Sequence, residues 1–278
     1  MGQWSIMIAL KNFDWSCTER DLVILVPNFG RGKYIRKLLD SLTSTVVPKD
    51  KWLLLVANDC IHEDFSDLES SNVRYFTLER TPFWERGDAY MRNIAIKYSR
   101  SKLLAQKDPE VLYTNDFIKG CFDHQDVLYR CGAFTYQASQ EVTMQFLDNK
   151  CDLDTVINQS NRIPILEDRF VFYHYGYSIP IKYLKDLNGY DEDFHYYGYV
   201  DTDMHNRLMK HGVGQFFDRD CNPIHLWHEK PQVKTDPVAI RREAHMKFLY
   251  KQKMSEDIVR NKNTNWGEGA LDLIPEIS

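Results

Sequence analysis

Asp201 and Asp203 open a stretch with helical character, Arg207 follows within it, and His225 and His228 lie further on, separated by Leu226 and Trp227. A carboxylate within hydrogen-bond reach of a hydroxyl can remove its proton as a general base. The same carboxylate can equally cap a helix. Two neutral imidazoles with a carboxylate suit manganese or another first-row divalent ion, whereas an all-oxygen set suits magnesium better. A zinc-protease reading fails on spacing, because it needs histidines four apart with an intervening Glu. No Gly-x-x-x-x-Gly-Lys loop and no Gly-x-Gly-x-x-Gly fingerprint follows a strand, which removes P-loop and dinucleotide-binding dehydrogenase chemistry.

The elements that must hold these groups alternate between strand and helix. Residues 21–27 form a continuous β-branched and Leu run that ends at Pro27-Asn28-Phe29-Gly30, so a buried strand is expected there. Apolar residues at helical spacing follow in 34–42, then strands are expected at 52–57, ending in Asn58-Asp59, and at 73–78. Residues 86–99 read as a helix, and 109–113 as a fourth strand that delivers Thr114-Asn115-Asp116. The span 123–147, rich in Tyr, Phe, Val and Thr, reads as sheet extension, and 239–253 as an amphipathic helix. Alternating strands and helices imply parallel pairing through right-handed crossovers, hence an α/β sheet with its ligands beyond the carboxyl ends of the strands.

In this order the residues resemble GT-A glycosyltransferases. The run from Asn188-Gly189-Tyr190 through Asp201, Arg207 and His228 is similar to their acceptor half, and residues 21–120 resemble the donor half of the inverting family-2 group. The resemblance implies a Rossmann-like mixed sheet flanked by helices, in one catalytic domain (21–231, donor half 21–120, acceptor and metal half 160–231). Residues 1–20 would be an extension and 232–278 a helical tail. It implies an inverting transfer of a sugar from a nucleotide sugar, most simply a UDP-sugar, to the hydroxyl of a glycan or other acceptor, assisted by Mn²⁺. Asp201 would be the base. Asp116, His225 and His228 would hold the metal, the two histidines standing where β-1,4-galactosyltransferases carry a Met and a His. Pro27, Asn28, Phe29, Asp59, Arg92 and Asn115 would line the donor. Two departures stand out: Thr114 replaces the first acid of the Asp-x-Asp motif, and Val200 replaces the partner of the base. They motivate a second expectation, a nucleotide-sugar-binding or scaffold protein with a degraded catalytic site.

At 278 residues with 43% hydrophobic content the chain can bury a sizeable core, and its apolar runs are far shorter than the roughly 20 residues a membrane span takes. Neither a signal peptide nor a transmembrane segment is expected, and six scattered cysteines without a Cys-x-x-Cys pair favour reduced thiols in the cytoplasm over a lumenal or secreted setting. The net charge of −5 argues against general nucleic-acid binding, but Arg241, Arg242, Lys247, Lys251 and Lys253 concentrate positive charge in the tail. A polyanionic acceptor, either an acidic glycan or DNA with a hydroxymethylated base, could use that charge; a solvated helix face is the simpler account. The aromatic cluster Tyr190, Phe194, His195, Tyr196, Tyr197 and Tyr199 could stack on an acceptor sugar or fill the core.

Overall fold

Strand β1 (Leu22–Asn28) is buried at every residue. Its side chains alternate between two cores, Val23 and Leu25 entering one and Leu22, Ile24 and Val26 the other. A strand covered on both faces needs an uninterrupted apolar run, which is what the sequence shows there.

The computed structural model describes residues 13–59, 63–78, 88–165, 175–194, 198–229, 237–263 and 266–267. After β1 come α1 (Gly32–Leu42), β2 (Trp52–Asp59), β3 (Val73–Leu78), α2 (Asp88–Tyr98), β4 (Leu103–Gln106) and β5 (Val111–Tyr113). The middle of the chain forms α3 (Phe117–Asp123), β6 (Leu128–Cys131), β7 (Phe134–Gln137), α4 (Gln140–Leu147), α5 (Leu153–Gln159) and β8 (Asn161–Pro164). Then follow β9 (Tyr177–Pro180), α6 (Ile181–Asp186), α7 (Val200–Lys210), β10 (Gln215–Asp218), β11 (Pro223–His225) and α8 (Pro237–Lys253).

Seven strands form the main sheet in the order β10-β6-β9-β4-β1-β2-β3, and β5-β11-β7-β8 form a second sheet. The β4-β1-β2-β3 portion is parallel, while β9 runs antiparallel between β4 and β6, so the sheet is mixed. Helices α2, α6 and α7 pack on one face through Met91, Ile94, Leu184, Met204 and Leu208. On the other face lie α1, α3, α4 and α5, with Leu38, Ile118, Phe146 and Val156 buried.

Two expectations are corrected here. The fourth strand of the parallel portion is β4, at 103–106, and the apolar stretch ending in Tyr113 belongs to the second sheet instead. The span 123–147 is only partly sheet, because Ser139 accepts a hydrogen bond from Val142 N and starts α4. Among the described residues no helix is long and apolar enough to cross a membrane, and Cys17, Cys121, Cys131, Cys151 and Cys221 are free thiols.

Candidate active site

Past the end of β4 the chain reads Lys107-Asp108-Pro109-Glu110, and here the antiparallel β5–β11 pairing sets His225 opposite Val111. Leu226 N then donates to Glu110 O at 2.9 Å, so a residue more than a hundred positions away in sequence is locked beside Glu110. Two further hydrogen bonds hold the following turn, Trp227 N to Thr143 Oγ1 at 2.8 Å and Tyr34 OH to Trp227 O at 2.8 Å. Glu110, His225 and His228 thereby bring one ligand atom each within 4.8 Å of one another.

The electrostatics of this cluster centre on Glu110, whose side chain is 3% exposed. Its Oε1 lies 2.5 Å from Arg31 Nη1 and 3.1 Å from His228 Nε2. Arg31 Nη2 also lies 3.2 Å from His228 Nδ1. Burial by itself pushes the Glu110 carboxyl up, but the Arg31 guanidinium and the two imidazoles outweigh it and hold the group below its ordinary range. Glu110 Oε2 is buried with no hydrogen-bond partner. An orphaned carboxylate oxygen in a buried site is costly unless a ligand meets it. A carboxylate beside two imidazoles is a donor set that fits a first-row divalent ion.

Asp116 is not part of this cluster. It caps α3, its Oδ1 accepting from Lys119 N at 2.9 Å, and its Oδ2 accepts from Thr45 Oγ1 at 2.8 Å and Val46 N at 3.0 Å. Asn115 Nδ2 donates to Asp220 O at 2.9 Å, and Thr114 exchanges hydrogen bonds with Asn222, so the whole triplet ties strand ends together. The acid that reaches the cluster is Glu110, and Asp108 precedes it in the short stretch after β4, a spacing visible in the sequence.

The expected donor residues divide. Asn28 is buried and internal: its Nδ2 donates to Asn58 Oδ1 at 2.8 Å and to Glu63 Oε2 at 2.6 Å, while its Oδ1 accepts from Arg31 N at 2.9 Å. It therefore shapes the turn that presents Arg31. Pro27 is within β1, and Phe29 packs against the core. Asp59 ends β2, and its side chain lies outside the described residues.

Asp201 sits in the first turn of α7, with 19% of its side chain exposed. Tyr199, at the N-terminal boundary, adopts the left-handed conformation with φ 65°. Arg92 Nη1 donates to Asp201 Oδ1, and the Arg92 guanidinium lies 5.1 Å from the Tyr190 ring centroid. Arg92 thus orients the Asp201 carboxylate. The neighbouring Asn93 Oδ1 accepts from Tyr190 N at 2.7 Å, an approach only Gly189 permits: a Cβ there would meet Asn93 Oδ1 at 2.2 Å, and its φ is +70°. Tyr190 and Phe194 are core residues, and Tyr199 packs against them; His195, Tyr196 and Tyr197 lie outside the described residues.

A family model described as the N-terminal domain of galactosyltransferase matches residues 177–229, the span from β9 to the two histidines. The mannosyltransferase PcManGT from Pyrobaculum calidifontis, solved with GDP-Man and Mn2+, superposes with a TM-score of 0.55 at 15% identity, covering 92% of this chain and 71% of that one. GalNAc-T7, solved with UDP, GalNAc and Mn2+, gives a TM-score of 0.57 at 10% identity, covering 91% and 57%. The fold is that of the GT-A glycosyltransferases. Chondroitin sulfate synthase 3 from Mus musculus is 25% identical over an aligned length of 232 that covers 76% of this chain and 24% of that protein. Its Homo sapiens counterpart is 23% identical, over 76% of this chain and 25% of its own length. The chain spans about a quarter of these curated relatives.

Proposed function

We propose that this GT-A chain is an inverting glycosyltransferase that moves a sugar from a nucleotide sugar, with UDP as the nucleotide, to an acceptor hydroxyl. The observation that carries the reading is the convergence of Glu110, His225 and His228, with one ligand atom each within 4.8 Å of one another, on a buried carboxylate whose Oε2 has no hydrogen-bond partner. Those three residues would hold a divalent ion, Mn²⁺ by the chemistry of the donor set. Bound there, the ion would supply positive charge to a departing diphosphate.

The chain's own residues do the rest. Arg92 engages Oδ1 of Asp201, and among the described residues Oδ2 has no partner, so that oxygen takes the proton of the acceptor hydroxyl. A single displacement follows, with the hydroxyl oxygen bonding to the anomeric carbon on the face opposite the diphosphate. The configuration therefore inverts. The degraded-site alternative rests on Thr114, which exchanges hydrogen bonds with Asn222, and on Val200, which is buried in the core.

The acceptor is a glycan or another hydroxyl compound. A polyanion gets weaker support, because Lys253 of the basic tail is 12% exposed and paired with Asp191 and Asp193, leaving Arg241, Lys247 and Lys251 exposed on α8. Asp201→Asn tests the assignment: transfer, measured over a panel of nucleotide sugars with Mn²⁺, should fall by about 10² to 10⁴. UDP binding should stay near wild type. Full turnover by this variant removes Asp201 from the mechanism.

A further inference from the structure

Five charged side chains meet almost out of contact with water where the C-terminal segment crosses α7. Asp203 on α7 binds Arg207 Nε at 2.7 Å and lies 3.6 Å from Arg260 Nη2. Asp191 sits 3.1 Å from Arg260 Nε and 2.8 Å from Lys253 Nζ. Their side-chain exposures run from 1% to 12%. A buried ion network of this kind gains little over apolar packing in net stability, since desolvation offsets much of the attraction. Its effect is on register: any shift of the segment along α7 strands a charge.

The same segment grips both partners of the Asp201–Arg92 pair. On the helix side, Tyr250 of α8 stacks on Tyr199 at 5.1 Å between ring centroids, two residues before Asp201, and its hydroxyl accepts from Asn206 Nδ2. Lys210 at the far end of α7 donates to Met254 O at 2.7 Å. On the arginine side, Asn261 Nδ2 donates to Tyr190 O at 2.7 Å, and Tyr190 carries the ring beneath Arg92. Gly267 N donates to Glu192 Oε1 at 2.7 Å, the same oxygen that accepts from Asn93 Nδ2 at 2.8 Å. Lys97 Nζ on α2 reaches Trp266 O at 2.9 Å.

We propose that residues 250–263 together with 266–267 form a yoke that sets the position of the Asp201 carboxylate relative to Arg92, with Arg260 and Tyr250 as positioning residues for the acceptor proton transfer. The proposal rests on the reading of Asp201 as the base. It gives the C-terminal segment a task in the reaction although none of its described residues belongs to the Glu110 cluster.

Arg260→Met, Arg260→Lys and Tyr250→Phe in the full chain test it, with folding checked by thermal denaturation. In Arg260→Met, kcat for transfer should drop about tenfold, as expected when a reacting group is misplaced from a distance. The affinity for UDP with Mn²⁺, read by calorimetry, should stay within about twofold, and Arg260→Lys should recover part of the rate. Tyr250→Phe keeps the ring stack and loses only the hydroxyl contact, so a drop of about threefold is expected, and this variant decides the matter if Arg260→Met does not fold. Because Arg260 acts through Asp201, adding Arg260→Met to Asp201→Asn should cost little more than Asp201→Asn alone. A double variant that loses the product of the two single factors overturns the proposal, as does wild-type kcat in folded Arg260→Met and Tyr250→Phe. Wild-type transfer by Asp201→Asn alone fails the base assignment, and the yoke with it.

Discussion

Glu110 and Asp116 flank strand β5 on either side and are used in opposite ways. Both oxygens of Asp116 are occupied, by the α3 N-terminus and by Thr45 and Val46. Glu110 is more deeply buried, faces two imidazoles, and keeps one oxygen without a partner. The segment 114–116 has spent its hydrogen-bonding capacity on holding strand ends together; the segment 106–110 has capacity left over. In a fold where acidic residues are common at strand ends, unspent capacity in a buried place separates a site from a joint.

Three measurements press on that contrast. The largest effect is expected from Glu110→Gln, which keeps shape and removes charge from the proposed ligand set: Mn²⁺ affinity, read by calorimetry, should weaken by about 10²-fold or more, beyond what outer-shell changes cost. An unchanged affinity would erase the distinction between the two acids. Next comes Lys107, buried beside Glu110's segment with Nζ donating to Val111 O at 2.6 Å. Desolvation pulls its pKa down from 10.5 to about 7. Below about pH 7 the ammonium is present in both folded and unfolded chains and its burial penalty is complete; above that the folded chain sheds the proton first, and the penalty fades up to the unfolded value near 10.4. Lys107→Met should therefore be more stable than wild type at pH 6, with the gap in urea unfolding closing by about 1.4 kcal/mol per pH unit between pH 7 and 10. A gap independent of pH would mean the amine is solvated. The smallest effect belongs to Asp116→Ala, which should cost about 1 to 2 kcal/mol of stability through the lost cap and leave Mn²⁺ affinity as it was. Loss of metal binding in this variant would reverse the comparison.

Much of the frame was legible because both faces of β1 and β2 are covered, which forces long apolar runs that stand out in sequence. Helices α1 and α7 were legible from their spacing, and the His225–His228 pair from its company. Strand β4 was not, since its four residues are followed by Lys107 and Asp108, whose polarity hides a buried strand end. The more apolar 109–113 draws the strand assignment, and with it the expected metal motif falls at 114–116. Arg92 and Asp201 could each be picked out, but their pairing spans 109 positions and depends on how α2 and α7 share one face of the sheet. The register that sets His225 opposite Val111 is likewise a property of the second sheet, and no local pattern announces it.

Arg31 already balances the charge of Glu110 through Oε1, although Oε2 is left without a partner. Its guanidinium stands 2.5 Å from the carboxylate that a divalent ion would use, so loading of the proposed ion would be an exchange of one cation for another. If the cluster holds an ion, an anion that receives the displaced guanidinium would ease its entry, and a diphosphate is an anion of that kind. Metal affinity would then rise when the donor is present.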